Sequence, residues 1–396
     1  MTDQLGQSQV IPYLIGLSEK GYQIHIISAE KKQNYINFEF NIRQLLDNHN
    51  ISWSFIKYTK KPPILSTIKD IHNLKKISKK LQQKISFDIV HCRSYISAII
   101  GIYMKKRFGT KFIFDMRGFW ADERVDAKIW NIKNPIFYLV YKYFKIKELS
   151  FLRNADYTIS LTKVGKKFIH NNFCANIPIK VIPCCADLEL FNYNSLNIIE
   201  LLKIKKNLMI KENDFIISYL GTIGSWYMLD EMLDFFKIFS TKIENAKLMF
   251  ITKDKQENII KIVRQKAISE DKIIIQAAER KEVPFLLSLS KLSLFFIKPV
   301  FSKKASSPTK LAEILGMGIP VVCNSGVGDI DTFFEQENLG FLIKNFTNEN
   351  YNLVVRQLTE IKKIKKERLR SFALQNFSLK IGIERYSEVY NKIFTI

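Results

Sequence analysis

Cysteine is scarce in this chain of 396 residues, acid is outnumbered by base, and no long apolar run occurs. The five cysteines (Cys92, Cys174, Cys184, Cys185 and Cys323) form no CxxC pair and no metal-ligand spacing. Two are adjacent and the total is odd, so no disulfide framework is expected and a reducing, cytoplasmic setting is. No stretch approaches the roughly 20 apolar residues of a spanning helix, since "NPIFYLVYKYF" is too short and carries a lysine. The start lacks a charged segment followed by an apolar one, so it does not read as a secretory signal. No Asp-x-Asp pair stands at a strand end, and no metal is expected. Internal repeats and low-complexity segments are also absent.

The formal net charge is +23, from 61 basic and 38 acidic residues. Such a balance speaks to partners, not to fold. The lysines crowd at 57–84, 142–167 and 362–370. Solvated faces in a lysine-rich composition account for this, and so does adhesion to an anionic membrane surface. Nucleic acid is not expected as a partner, because no zinc finger, RNP box or helix-turn-helix pattern accompanies the charge. The segment "ILSTIKDIHNLKKISKKLQQKI" puts Ile64, Ile68, Ile71, Leu74 and Leu81 along one helical face with lysines around them. It reads either as a packed helix with a wet side or as a surface for anionic lipid.

Apolar content of 47% allows sizeable cores, and the length suits two or three domains. Short β-rich runs alternate with helical segments throughout: "YQIHIIS", "SWSFIKY", "DIVHCRS", "KFIFDMR", "YTISLT" and "IKVIPCC". After the polar "FNYNSLN" come "FIISYLG", "AKLMFIT", "KIIIQAA", "LSLFFIK", "IPVVCNS" and "GFLIKN". Continuous apolar strands between amphipathic helices predict parallel sheets covered on both faces. The expected class is α/β, with two doubly wound Rossmann-like domains facing across a cleft. Residues 1–190 form the first, residues 191–375 the second, and 376–396 a final helix.

In such sheets ligands sit beyond the carboxyl ends of the strands. That directs attention to Gly6, His91, Arg93, residues 115–118, 221–225, 306–313 and 326–329. The richest stretch is "SSPTKLAEILGMGIPVVCNSGVGD". Ser307 suits a helix N-cap, Pro308 the first helical position, and Gly318 the stop near Met317. A helix start with Lys310 in its first turn suits a diphosphate. Glu313 can accept two hydrogen bonds from neighbouring hydroxyls, as a ribose presents them. Taken singly, Lys310 and Glu313 also fit a solvent-facing helix. Further upstream, Arg117 can pair with a phosphate or carboxylate, or instead with Asp115, Asp122 or Glu123. His91 is either a packed residue or a ligand-facing one. Phe119 and Trp120 fit an acceptor loop or a packed one.

"QLGQSQVIPYLIGL", "DMRGFWADERVD", "SYLGTIGSWYMLDEML" and "SSPTKLAEILGMGIPVVCN" resemble the retaining GT-B glycosyltransferases of family four, of the bacterial surface-polysaccharide type, across essentially the whole chain. The resemblance implies a nucleotide-sugar donor held by the second domain and an acceptor held by the first. It also implies that the final helix crosses back to the first domain. Carried over residue by residue, Glu313 binds the donor ribose, and Ser307, Thr309 and Lys310 lie near its phosphates. Gly6 then sits in the first glycine loop, with Gly221 and Thr222 in the first loop of the donor domain. Arg117, His91 and Lys310 are the candidate catalytic residues.

Three departures stand out. Ala305 occupies the place of the first glutamate in the family's E-x7-E motif. The arginine and lysine that many members place after the first donor-domain strand are missing from "GTIGSWYML", which leaves Lys310, with Lys303, Lys304 or Arg117, to meet diphosphate charge. The glycine turn at Gly6 has no strand before it. A first strand of the N-terminal domain is therefore expected to be lacking, at a cost in stability.

The expected activity is sugar transfer from a nucleotide-diphosphate sugar to a saccharide or lipid-linked saccharide, with retention and without a metal or other cofactor, in cell-surface polysaccharide synthesis. The expected location is the cytoplasm, with peripheral attachment at the inner membrane face as the second expectation. The alternatives are a degenerate, non-catalytic copy or a sugar-nucleotide epimerase of similar architecture.

Overall fold

A computed structural model describes residues 1–173 and 175–395. All twelve expected β-runs form strands: β1 His25–Glu30, β2 Ser52–Lys57, β3 Ile89–Arg93, β4 Lys111–Asp115, β5 Tyr157–Ser160 and β6 Ile179–Val181, then β7 Phe215–Leu220, β8 Ala246–Ile251, β9 Ile273–Gln276, β10 Leu292–Phe295, β11 Val321–Asn324 and β12 Gly340–Ile343. Every ladder between them is parallel. Cys174 lies outside the described residues; the other four cysteines are buried and unbridged.

The chain divides into two compact units. One comprises residues 1–185 with the last helix, Leu379–Ile393; the other comprises Ala186–Ser378. The exchanges fall at 185/186 and 378/379, a few residues from the boundaries expected at 190/191 and 375/376. The cause is local packing. Ala186 N–H donates to Phe377 O at 2.9 Å, and Ala186, Leu188 and Phe191 are part of the second unit's core.

In the first unit the strands form two sheets, β1-β2 and β3-β4-β5-β6. No described strand joins β1 to β3. Two apolar clusters fill this unit. One packs Tyr13, Leu17, Ile113, Ile159 and Ile182 against Tyr386, Val389, Tyr390 and Ile393 of the last helix. The other gathers Ile11, Ile26, Ile42, Leu46, Ile51 and Trp53. Two glycines let the helix Ile11–Glu19 approach the last one. A Cβ on Gly16 would lie 2.2 Å from Ile383 Cδ1, and a Cβ on Gly382 would lie 2.7 Å from the Tyr13 ring.

In the second unit six strands run β12-β11-β10-β7-β8-β9. The chain steps outward from β7 to β9, then returns to the other side of β7 with β10. That reversal makes a topological switch point between β7 and β10, where the loops leaving their carboxyl ends diverge and open a crevice. The helix Thr309–Gly316 follows β10 and therefore starts at that crevice. Strands β7, β8, β10 and β11 are apolar along almost their whole length because helices cover both faces.

Candidate functional site

The crevice of the second unit is built on a tight turn. Gly221, just past β7, has φ +102°, a conformation that favours glycine. The turn is braced twice: Tyr219 Oη donates to Thr222 O at 2.7 Å, and Ile223 N–H donates to Asp254 Oδ2 at 2.5 Å. Thr222 itself is exposed. Lys310 comes up beneath this turn, so close that a Cβ on Gly221 would stand 3.4 Å from its Nζ.

Lys310 is buried, and its Nζ has no hydrogen-bond partner. Its neighbours are ring faces, Tyr227 at 3.6 Å and Tyr219 at 4.2 Å from Nζ to centroid. These attract a cation but do not replace its lost water. Burial lowers the ammonium pKa to about 7, against the pull of Glu313 and Asp254. A buried, half-neutralised cation beside a strained glycine turn gains most from an incoming anion. The Lys303 ammonium also lies over a ring face, that of Trp226, at 3.6 Å, and that of Lys304 lies over Phe301.

Glu313 sits one turn beyond Lys310 and is buried. Arg280, in the loop after β9, donates to its Oε1 at 2.9 Å and lies over the Phe191 ring at 5.1 Å. Nothing in the sequence around Arg280 announces this pairing.

The helix begins one residue later than its sequence signals suggest. Pro308 is the cap, with extended backbone (φ −73°, ψ 116°), and no side chain caps the helix. Ser307 precedes the cap instead of serving as it, because an extended proline cannot act as the first helical residue. Thr309 opens the helix, half-buried. Ala305 closes a short 3-10 turn and is buried, with no carboxylate to offer.

Gly6 belongs to the first unit. It is helical and not in a loop: Asp3 accepts from Gly6 N–H at 2.8 Å and so caps the helix Gln4–Gln9. The glycine is needed for close approach, since a Cβ there would meet Met1 O at 2.6 Å. That N–H is already engaged, which corrects the glycine-loop expectation.

The other sequence-marked residues converge on Asp115, buried at the end of β4. Arg117 Nη1 stands 3.8 Å from its carboxylate, Arg93 Nη1 3.7 Å and His91 Nε2 3.7 Å, and Tyr386 Oη donates to it at 3.1 Å. Burial opposes the Asp115 charge, but Arg117 above all, with His91 and Arg93, outweighs it and holds the carboxyl at about 2. Of the carboxylates open to Arg117 in the sequence, it is Asp115 that it faces, within the first unit. Asp122 instead takes Lys145 and Tyr141. Arg117 also has φ +57°, a strained backbone for a long side chain, and reaches Cys184 Sγ at 3.0 Å. His91 Nδ1 bonds Tyr390 Oη at 2.8 Å. Two arginines and a histidine face one carboxylate, and burial with the nearby Arg117 pushes the Arg93 pKa down, as surplus positive charge does. The tyrosines of "ERYSEVY" were missed in the sequence; their spacing of four residues on one helix face was the available signal.

Residues 10–190 match the family description Glycosyltransferase Family 4, and residues 202–375 match Glycosyl transferases group 1. An uncharacterized glycosyltransferase of Methanocaldococcus jannaschii is 23% identical over 329 residues, covering 78% of this chain and 76% of that protein. Among solved structures, Anabaena HepE in complex with UDP and glucose superimposes with a TM-score of 0.70 at 13% identity, covering 98% of both chains. A glycosyltransferase from Rickettsia africae superimposes with a TM-score of 0.68 at 17% identity, over 97% of this chain and 94% of that one.

Proposed function

The chain belongs to the glycosyltransferases of GT-B type, and from that premise we propose that it moves a sugar from a nucleotide-diphosphate donor to a saccharide or lipid-linked saccharide, with retention at the anomeric carbon, in cell-surface polysaccharide synthesis. One observation carries the reading: the Lys310 ammonium, buried and without an acceptor, lies under the Gly221 turn at the switch point of the second unit. HepE crystallised with UDP-glucose lends support by fold.

In this reading the donor diphosphate meets Lys310 and the start of the helix Thr309–Gly316, and Glu313 accepts from the ribose hydroxyls. The bond from the anomeric carbon to the phosphate oxygen breaks, and its electron pair leaves on the diphosphate. The acceptor oxygen bonds to the same face of that carbon and gives its proton to the departing phosphate oxygen. No protein nucleophile takes part. The protein's share is positioning and stabilisation of the leaving charge, with Lys310 acting in place of a divalent cation. The surplus positive charge of Arg93 and Arg117 around Asp115 supports acceptor binding by the first unit.

The test is titration calorimetry with a panel of nucleoside diphosphates. Lys310→Ala and Glu313→Ala should each weaken binding by about tenfold or more. Undiminished affinity in both variants, or no binding by the wild type, sinks the proposal. A panel that binds donor yet never transfers favours the degenerate copy, for which Ala305 speaks. Release of an altered free nucleotide sugar favours the epimerase.

A further inference from the structure

The helix Pro135–Asn154 of the first unit has two unlike faces. Phe144, Glu148, Phe151 and Leu152 are buried. On the opposite side Ile136, Leu139, Tyr143 and Ile146 are 60%, 67%, 45% and 69% exposed. Their spacing of three, four and three residues places them in an arc of about 80° at 3.6 residues per turn, a continuous apolar stripe in water. Ile129 and Ile132, just before the helix, are also exposed. Isolated exposed leucines need no explanation, but a stripe of this length does.

The charge around the stripe is of one sign. From Lys128 to Lys147 the chain carries five lysines and no acidic residue. By helical spacing Lys142 and Lys147 flank the stripe on either side, and their ammonium groups lie over the Tyr138 and Tyr143 rings. Lys145, on the buried side, is taken by Asp122 and Glu148. No described helix is long and apolar enough to cross a membrane. The segment singled out in the sequence, now the helix Leu65–Ile85, fits a membrane surface less well. It buries Ser66, Asp70, Ser78 and Gln82, and among its apolar residues Ile71, Leu74 and Leu81 are half-buried.

We infer that the Pro135–Asn154 stripe lies on an anionic lipid surface, its isoleucines and Leu139 entering the acyl boundary and its lysines meeting phosphate headgroups. Apolar burial and headgroup charge reinforce each other in such a helix, and together they favour lipid over a neutral partner. This inference is independent of sugar transfer.

Co-sedimentation of the full chain with vesicles of phosphatidylcholine, with and without phosphatidylglycerol, tests it. The wild type should bind the anionic vesicles and be released by added salt. The triple variant Ile136→Ser/Leu139→Ser/Ile146→Ser should partition about tenfold less or worse, and Lys133→Glu/Lys142→Glu should lose the preference for anionic lipid. Both leave nucleotide binding unchanged. If the triple variant melts early by circular dichroism, the charge variant decides. Four results overturn the inference: no binding to anionic vesicles, equal binding to neutral ones, variants that bind like wild type, or a dimer that the serine variant dissolves while vesicle binding is absent.

Discussion

Lys310 links burial to pH. Burial lowers its pKa from the ordinary lysine value of 10.5 to about 7. A diphosphate binds the protonated form, so nucleoside-diphosphate affinity should fall as pH rises above about 7, by at most about tenfold per unit. The Lys310→Ala variant should show no such slope in calorimetry, and a flat wild-type profile would refute the assignment. For stability the sign is opposite: the unfolded chain holds this proton more tightly, so the fold loses stability as pH drops from 10.5 towards 7 and loses no more below it. Lys310 and Glu313 were legible in the sequence because helix-start signals are local. Arg280 was not, since it reaches Glu313 from another loop, 33 residues away. Gly6 was misread because it lies inside the short helix Gln4–Gln9, which Asp3 caps.

Among the elements, the strands were the most legible, because a strand buried on both faces must be apolar throughout. The pairing of helices was hidden, since it depends on shape. Gly16 and Gly382 show why: each is the only residue small enough at its crossing. Gly382→Val should therefore destabilise the first unit by about 1–3 kcal/mol, measured by urea denaturation, with little change in nucleotide binding by the second. An unchanged midpoint would contradict the close approach. The divided sheet predicts a second difference. β1, β2, β3 and β6 each have a described strand on one side only, whereas in the second unit only β9 and β12 do. Amide hydrogen exchange should be faster in β1 and β3 than in β7 and β8. Equal protection would mean that another strand covers those edges in solution.

At the scale of the whole molecule, the two-unit α/β plan followed from alternation alone, while the exposed stripe of Pro135–Asn154 could not be read in advance. That helix is apolar on several sides, and only packing reveals which side is left out. The placement of the last helix has a further consequence for biogenesis. On the ribosome, Tyr386 and Tyr390 emerge only after all of Ala186–Ser378 has been made. Asp115 and His91 therefore wait, partnerless on the tyrosine side, until translation has passed the entire intervening sequence.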